Sequence, residues 1–141
     1  MCGAASAAGS GGCLCGAVRY SVHGPLRDVI ICHCSACRRS HGGPAPFTAC
    51  DAGHLELVAA EALRWHELGG ARRGFCGRCG SRLFWQRDPS RISIAAGSLD
   101  GPTGLRISHH IHLAGAGDWE QPLDPHGPPG YELGTPPAAS T

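Results

Sequence analysis

Apolar and polar positions alternate in short runs along this chain and nowhere settle into a long helical period. Val18, Tyr20 and Val22 fall on one face of the segment Ala17–Val22, the two-residue period of a half-buried strand. Ile92 and Ile94 repeat it in Arg91–Ala96, and Arg82–Trp85 is a further strand. Leu63–Leu68 sets Leu63, Trp65 and Glu67 against Arg64, His66 and Leu68, a weaker alternation. Gly pairs at 42–43 and 69–70, with single Gly at 53, 74, 77, 80 and 97, punctuate these runs as turns. Ser35–Ser40 has room for one helical turn, and no segment offers twelve residues of 3.6-residue apolar period. The pattern predicts a mainly β fold of short antiparallel strands.

Composition adds a problem of stability. The 141 residues suit one domain with a modest core, yet they include only 3 Phe, 2 Tyr and 3 Trp against 22 Gly and 11 Pro. So little aromatic bulk in a loop-rich chain points to bound metal as part of the folding energy, on the order of 10 kcal/mol for a structural zinc. Residues 1–11 are expected to form a disordered leader, 12–120 the domain, and 121–141 a Pro/Gly-rich extended tail, loosely held. Met1–Gly12 lacks the basic start and apolar stretch of a secretory signal, Cys2 breaks the myristoylation pattern, and no run of 18 apolar residues exists. The expectation is a cytoplasmic protein without a membrane partner.

The cysteines carry the chemistry. Seven of nine form one spaced pattern: Cys13-x-Cys15, Cys32-x-Cys34-x-x-Cys37 and Cys76-x-x-Cys79. In an intracellular chain such spacing means metal ligation rather than disulfide bonding. Cys32, Cys34 and Cys37 can wrap three thiolates around one ion without a distant partner. The separate pairs Cys13/Cys15 and Cys76/Cys79 together make a closed four-thiolate site that staples the start of the domain to its middle. Gly16, Gly77 and Gly80 let backbone N–H groups approach the sulfurs in tight turns. The expectation is two zinc ions per chain, although iron also suits four thiolates. The three-thiolate ion either keeps an open fourth position or is closed by His41 or Cys50. His33, between two ligands, is expected to point away from the ion. Cys50 suits a small core position, and Cys2 belongs to the leader.

Charge is revised by the same count. The twelve basic residues are all Arg, and the formal charge is +1. Zinc centres of four and three thiolates bring that to about −2, which argues against a nucleic-acid partner.

The segments Gly11–Gly16 (GGCLCG), Cys32–Ser40 (CHCSACRRS), Phe75–Ser81 (FCGRCGS), Ala96–Asp100 (AGSLD) and His110–Ile111, followed by Trp119, resemble the glutathione-dependent formaldehyde-activating enzyme family. Centromere protein V is a eukaryotic relative of that family. The resemblance runs in family order over about residues 11–120. It implies a β-tent fold, stapled by two zincs divided as above. It also implies a carbon–sulfur lyase activity that joins glutathione to formaldehyde as S-(hydroxymethyl)glutathione. The His-Ile pair suggests His110 as an acid/base. His41 and the His-rich run Ser108–His112 depart from the family pattern.

Three thiolates leave a zinc a poor Lewis acid but a good acceptor of a fourth sulfur. The expected mechanism is therefore that Cys32, Cys34 and Cys37 present a metal to the thiolate of glutathione, positioned to attack an aldehyde. Two carboxylates on glutathione call for guanidinium forks, and Arg38, Arg39, Arg72 and Arg73 are the candidates. Trp65, Phe84, Trp85 and Trp119 suit core or rim packing. The rival reading is a zinc-stabilised protein-binding module without catalytic activity.

Overall fold

A computed structural model describes residues 9–137. The order along the chain is β1 (Gly9–Gly12), β2 (Arg19–Val22), β3 (Val29–Cys32), α1 (Ser35–His41), β4 (Ala45–Asp51), β5 (Leu55–Ala59), β6 (Leu63–Leu68), β7 (Ala71–Cys76), β8 (Arg82–Gln86), β9 (Arg91–Ala95) and β10 (Ile107–Ile111). Short 3-10 turns occupy Ala52–His54, Ala96–Ser98 and Leu113–Gly115. The chain divides into two compact units. Among the described residues, 9–27 with Thr48–Leu105 form the first; Asp28–Phe47 with 106–137 form the second. The molecule is mainly β, as its alternation predicts.

In the first unit β1, β2 and β5 form an antiparallel sheet in that order, and β6, β7, β8 and β9 form an antiparallel meander. The alternation of β2 is realised directly: Tyr20 and Val22 are buried while Arg19 and Ser21 are partly exposed. In β9 Ile92 and Ile94 point into the same core. Tyr20 meets Phe84 edge-on at 5.3 Å, and Phe84 stacks on Trp65 at 5.9 Å. Cys50 lies in this cluster with Val18 and Leu83, as a small core residue should. Gly74, expected in a turn, sits inside β7 opposite Trp65 and Phe84. A Cβ there would lie 3.0 Å from Trp65 and 3.1 Å from Phe84. The glycine is space for two stacked rings, not a break in the strand.

Gly9–Gly11, read from composition as leader, are already part of β1. Residues 1–8 of that leader, with Cys2, lie outside the described residues, as do residues 138–141 of the tail.

The second unit is built on β3, whose Val29 and Ile30 are buried. β4 pairs with β3 antiparallel, whereas β10 pairs with it in parallel, the exception to an otherwise antiparallel set among the described ladders. The parallel register brings His110 beside Ile31 and Ile111 beside Cys32. α1 begins at Cys34, whose sulfur accepts from the Cys37 N–H, and ends at Gly42, which takes the left-handed conformation a side chain would resist. With seven residues it makes nearly two turns, longer than the single turn expected over Ser35–Ser40. The tail is held more firmly than its composition implies. The N–H of His110 donates to Pro129 O, that of Tyr131 to His110 O, and that of His112 to Leu133 O. Prolines that cannot donate leave their carbonyls to accept, so a Pro-rich strip still completes an edge.

Gly11 shows how tightly the first unit closes. A Cβ there would fall 2.3 Å from Tyr20 Oη and 2.4 Å from the Ser98 carbonyl, and Tyr20 Oη is hydrogen-bonded to Ser98 Oγ at 2.7 Å. Gly11→Ala is expected to destabilise the protein by about 1–3 kcal/mol through overpacking. Urea unfolding of the variant against the wild type checks this, and an unchanged midpoint would refute it.

Candidate metal centres

The four-cysteine set assembles in the first unit from two hairpin-like knuckles. Cys13 and Cys15 flank the exposed Leu14, and Cys76 and Cys79 span the turn after β7. The four sulfurs lie within 4.8 Å of one another. Cys13 Sγ is 3.6 Å from Cys15 Sγ, and Cys15 Sγ is 3.8 Å from Cys76 Sγ. Sulfurs 2.3 Å from a tetrahedral ion sit about 3.8 Å apart, so the cluster fits one such ion.

Backbone N–H groups are aimed at these sulfurs. Val18 N–H donates to Cys13 Sγ at 3.2 Å, and the N–H groups of Arg78 and Cys79 donate to Cys76 Sγ at 3.4 and 3.5 Å. Ser81 Oγ sits 3.2 Å from Cys79 Sγ and accepts from Leu14 N–H at 3.0 Å, tying one knuckle to the other. The hydroxyl of Ser81, with the N–H groups of Ser81 and Cys15, pulls the Cys79 thiol down to about 5. Cys15 instead is pushed up to about 11 despite the N–H of Ala17, because desolvation by the atoms around it and the neighbouring sulfurs oppose a further negative charge. Thiols this close cannot all ionise unless a cation shares the site. Ser81 closes the sequence motif, but the pattern alone assigns it no role.

The three-cysteine set lies in the second unit, at the end of β3 and the start of α1. The sulfurs of Cys32, Cys34 and Cys37 also fall within 4.8 Å of one another, with Cys37 buried. The hydrogen bond to Cys37 and burial raise the Cys32 thiol, the same crowding as in the first centre. No fourth His, Cys, Asp or Glu side chain joins this set among the described residues. His41 packs edge-on against Phe47, and Cys50 belongs to the core of the first unit. The loop after β10 presses on the knuckle from outside: a Cβ on Gly115 would lie 2.9 Å from Ser35 N and 3.0 Å from Cys34 Cα.

His33 points away from the thiols, and its destination is the feature sequence reasoning missed. Its Nδ1 lies 2.5 Å from Glu120 Oε1, and its Nε2 lies 2.9 Å from His110 Nδ1. The side chains of His33 and Glu120 are only 6% and 9% exposed. Glu120 Oε2 also accepts from Gly117 N–H at 2.8 Å. Burial would raise the Glu120 carboxyl, but Gly117, His33 and Arg38 together hold it below the usual range. Burial, with His33 and His109 nearby, lowers His110 below an ordinary imidazole. His109 is occupied elsewhere, between Ser108 Oγ and Thr135 Oγ1, both at 2.8 Å.

The candidate arginines divide between the units. Arg38 and Arg39 follow Cys37 on α1; Arg38 donates through Nε to Gly115 O at 3.3 Å, and Arg39 is exposed. Arg72 and Arg73 lie on β7 of the first unit. Arg72 donates twice to Gln86 Oε1 and lies over Trp65 at 3.9 Å, while Arg73 Nη1 is buried without a partner among the described residues. Phe84 is core, Trp65 packs against it, and Trp85 is half-buried beneath Arg87. Trp119 is 58% exposed and covers Gly117 and Gly43 in the second unit.

Short β-strands around two compact thiol clusters, each able to hold a metal ion, define a small cysteine-centred β protein. The chain belongs to the family described as glutathione-dependent formaldehyde-activating enzyme, whose model matches residues 8–115. A Halomonas elongata protein named "Putative glutathione-dependent formaldehyde-activating enzyme" is 39% identical over 121 residues, covering 77% of each chain. A Rhodobacter sphaeroides protein of known crystal structure is similar in fold, with a TM-score of 0.59 and 26% identity over 86% of this chain and 98% of that one. No helix among the described residues is long and apolar enough to cross a membrane.

Ser81 supports the first cluster through Cys79 and Leu14 alike. Ser81→Ala is expected to weaken the binding of added metal at that cluster about 10–100-fold, as the loss of an outer partner does. Competition with a chromophoric chelator reads the affinity directly; an unaltered value would remove Ser81 from the site.

Proposed function

We propose that this chain is a zinc-dependent enzyme of the carbon–sulfur lyase class, joining a small thiol such as glutathione to an aldehyde such as formaldehyde. The observation that carries this reading is the unequal division of cysteines. One set of four is complete in itself, and one set of three gains no fourth protein ligand among the described residues. The family membership and the name of the Halomonas elongata relative support the same substrates. Two zincs per chain, one to each set, and a cytoplasmic location belong to this proposal.

The zinc, when bound by Cys32, Cys34 and Cys37, supplies a place for a fourth sulfur and favours its thiolate form. The residues around it do the rest. Arg38 and Arg39, directly after Cys37, offer guanidinium groups to the carboxylates of glutathione. The glutathione sulfur forms a bond to the aldehyde carbon, the C=O π pair moves to oxygen, and that oxygen takes a proton to give the hydroxymethyl thioether. His110, as the acid/base, takes the thiol proton of glutathione and returns it to that oxygen. Positioning supplies most of the rate, because thiols add to formaldehyde unaided. Cys13, Cys15, Cys76 and Cys79 keep their ion for the fold. Arg72 is engaged by Gln86 and Trp65 and lies in the first unit, whereas Arg38 and the exposed Arg39 follow Cys37 directly, which favours that pair as the carboxylate grip.

Substitution separates the two roles. Cys37→Ser is expected to give a folded protein with one zinc lost and turnover reduced to the spontaneous rate. Cys13→Ser is expected to lose the cooperative unfolding transition, because a structural zinc contributes on the order of 10 kcal/mol. Elemental analysis, circular dichroism and the rate of S-(hydroxymethyl)glutathione formation read all three quantities. Equal loss of fold in both variants, or full turnover in Cys37→Ser, would refute the division and favour a protein-binding module.

A further inference from the structure

Strands β6, β7 and β8 hold positive charge that neither thiol cluster uses. Residues 63–87 carry Arg64, Arg72, Arg73, Arg78, Arg82 and Arg87 against one acid, Glu67, in a chain of 12 basic and 11 acidic residues. Asp100 and Asp51 pair with Arg19 and Arg91, outside this segment, and among the described residues no carboxylate pairs with Arg72, Arg73 or Arg87. Glu67 stands directly opposite Arg72 in the ladder, the ordinary place for a cross-strand ion pair. Arg72 turns to a neutral amide instead.

Three contacts fix its guanidinium. Nε and Nη2 donate to Gln86 Oε1 at 3.0 and 2.7 Å, and the group lies 3.9 Å over the Trp65 ring, which stacks on Phe84 of the core. Gln86 cannot turn, because its Nε2 donates to Arg91 O at 3.1 Å and to Pro89 O at 3.4 Å. A guanidinium at one end of the amide and carbonyls at the other allow a single orientation. The Nε–Nη2 edge of Arg72 is therefore occupied. Its Nη1–Nη2 edge has no partner among the described residues, and two parallel N–H donors there form the fork that takes a carboxylate end-on. An arginine ordered in advance loses little rotamer freedom when an anion arrives. Arg72 borders a groove of about 300 Å³ at the turn end of the β6–β7 hairpin, with Glu67 and Arg87 also on its walls. Arg87 is tied down as well, donating to Gly69 O at 3.1 Å and lying over the Trp85 ring. We propose that this groove binds the carboxylate of a small molecule, gripped end-on by Arg72. The site is independent of the function proposed above. Glu67 on the same rim opposes a second negative charge and suits an ammonium, so the ligand carries one carboxylate, as a simple monocarboxylic acid or the head of an amino acid.

The test is nitrogen-15 NMR of the arginine Nε–H and tryptophan indole N–H groups in the zinc-loaded full chain. Sodium acetate and glycine are the probes, with ionic strength held constant by sodium chloride. The Arg72 and Trp65 signals are expected to move and to saturate. Arg72→Lys keeps the charge and removes the fork; Gln86→Leu frees the guanidinium, and serves if the lysine variant does not fold. Read at Trp65, the affinity is expected to fall about 10–100-fold in Arg72→Lys and to weaken in Gln86→Leu. Saturation by glycine alone makes the ligand an amino-acid head, with Glu67 on its ammonium; saturation by acetate makes it a simple carboxylate. Shifts no larger than those from chloride, or a Trp65 titration of unaltered affinity in the variants, would overturn the proposal.

Discussion

Crowded sulfur is the constraint on which this molecule depends. Four cysteine sulfurs within 4.8 Å in one unit and three in the other cannot all be ionised without a cation. The chain shows the conflict in its acidities. Cys79 is drawn down by Ser81, while Cys15 and Cys32 are pushed up by their neighbours. A divalent ion, which each cluster could hold, would resolve the conflict by displacing the protons, and its binding energy would become folding energy. The small core of the first unit, with Tyr20, Phe84, Leu83 and Ile94 at its centre, is then not required to hold the fold by itself.

The two clusters differ in what surrounds them. The four-cysteine set is enclosed by its own turns: N–H groups from Val18, Arg78 and Cys79 and the hydroxyl of Ser81 all aim at its sulfurs. These donors favour the thiolate form of the sulfurs they reach. The three-cysteine set is instead flanked by ionisable side chains. A helix start at Cys34, arginines after Cys37 and a histidine line ending at Glu120 converge through one loop. The same element type, a thiol knuckle, meets different neighbours in the two units.

What the sequence discloses follows from the range of each interaction. Strands β2, β6, β8 and β9 announce themselves because alternation is local. Both thiol clusters are legible because their members recur at spacings that only turns around an ion require. β1 is hidden by its GSGG sequence and β10 by its run of histidines, neither of which alternates in hydropathy. β7 is broken on paper by Gly74, whose purpose is visible only beside Trp65 and Phe84. Glu120 is the clearest case: it lies 87 residues from His33 in a loop rich in small and polar residues, and no local pattern joins the two. The tail likewise carries no strand signature, yet its carbonyls complete the edge of β10.

The central claim is that one metal centre is closed and the other accepts a thiol. Cadmium-113 NMR of the cadmium-substituted protein, recorded with and without glutathione, tests it most directly. The account predicts two resonances, of which only that of the three-cysteine centre moves when glutathione is added. Two resonances that both stay in place would contradict it.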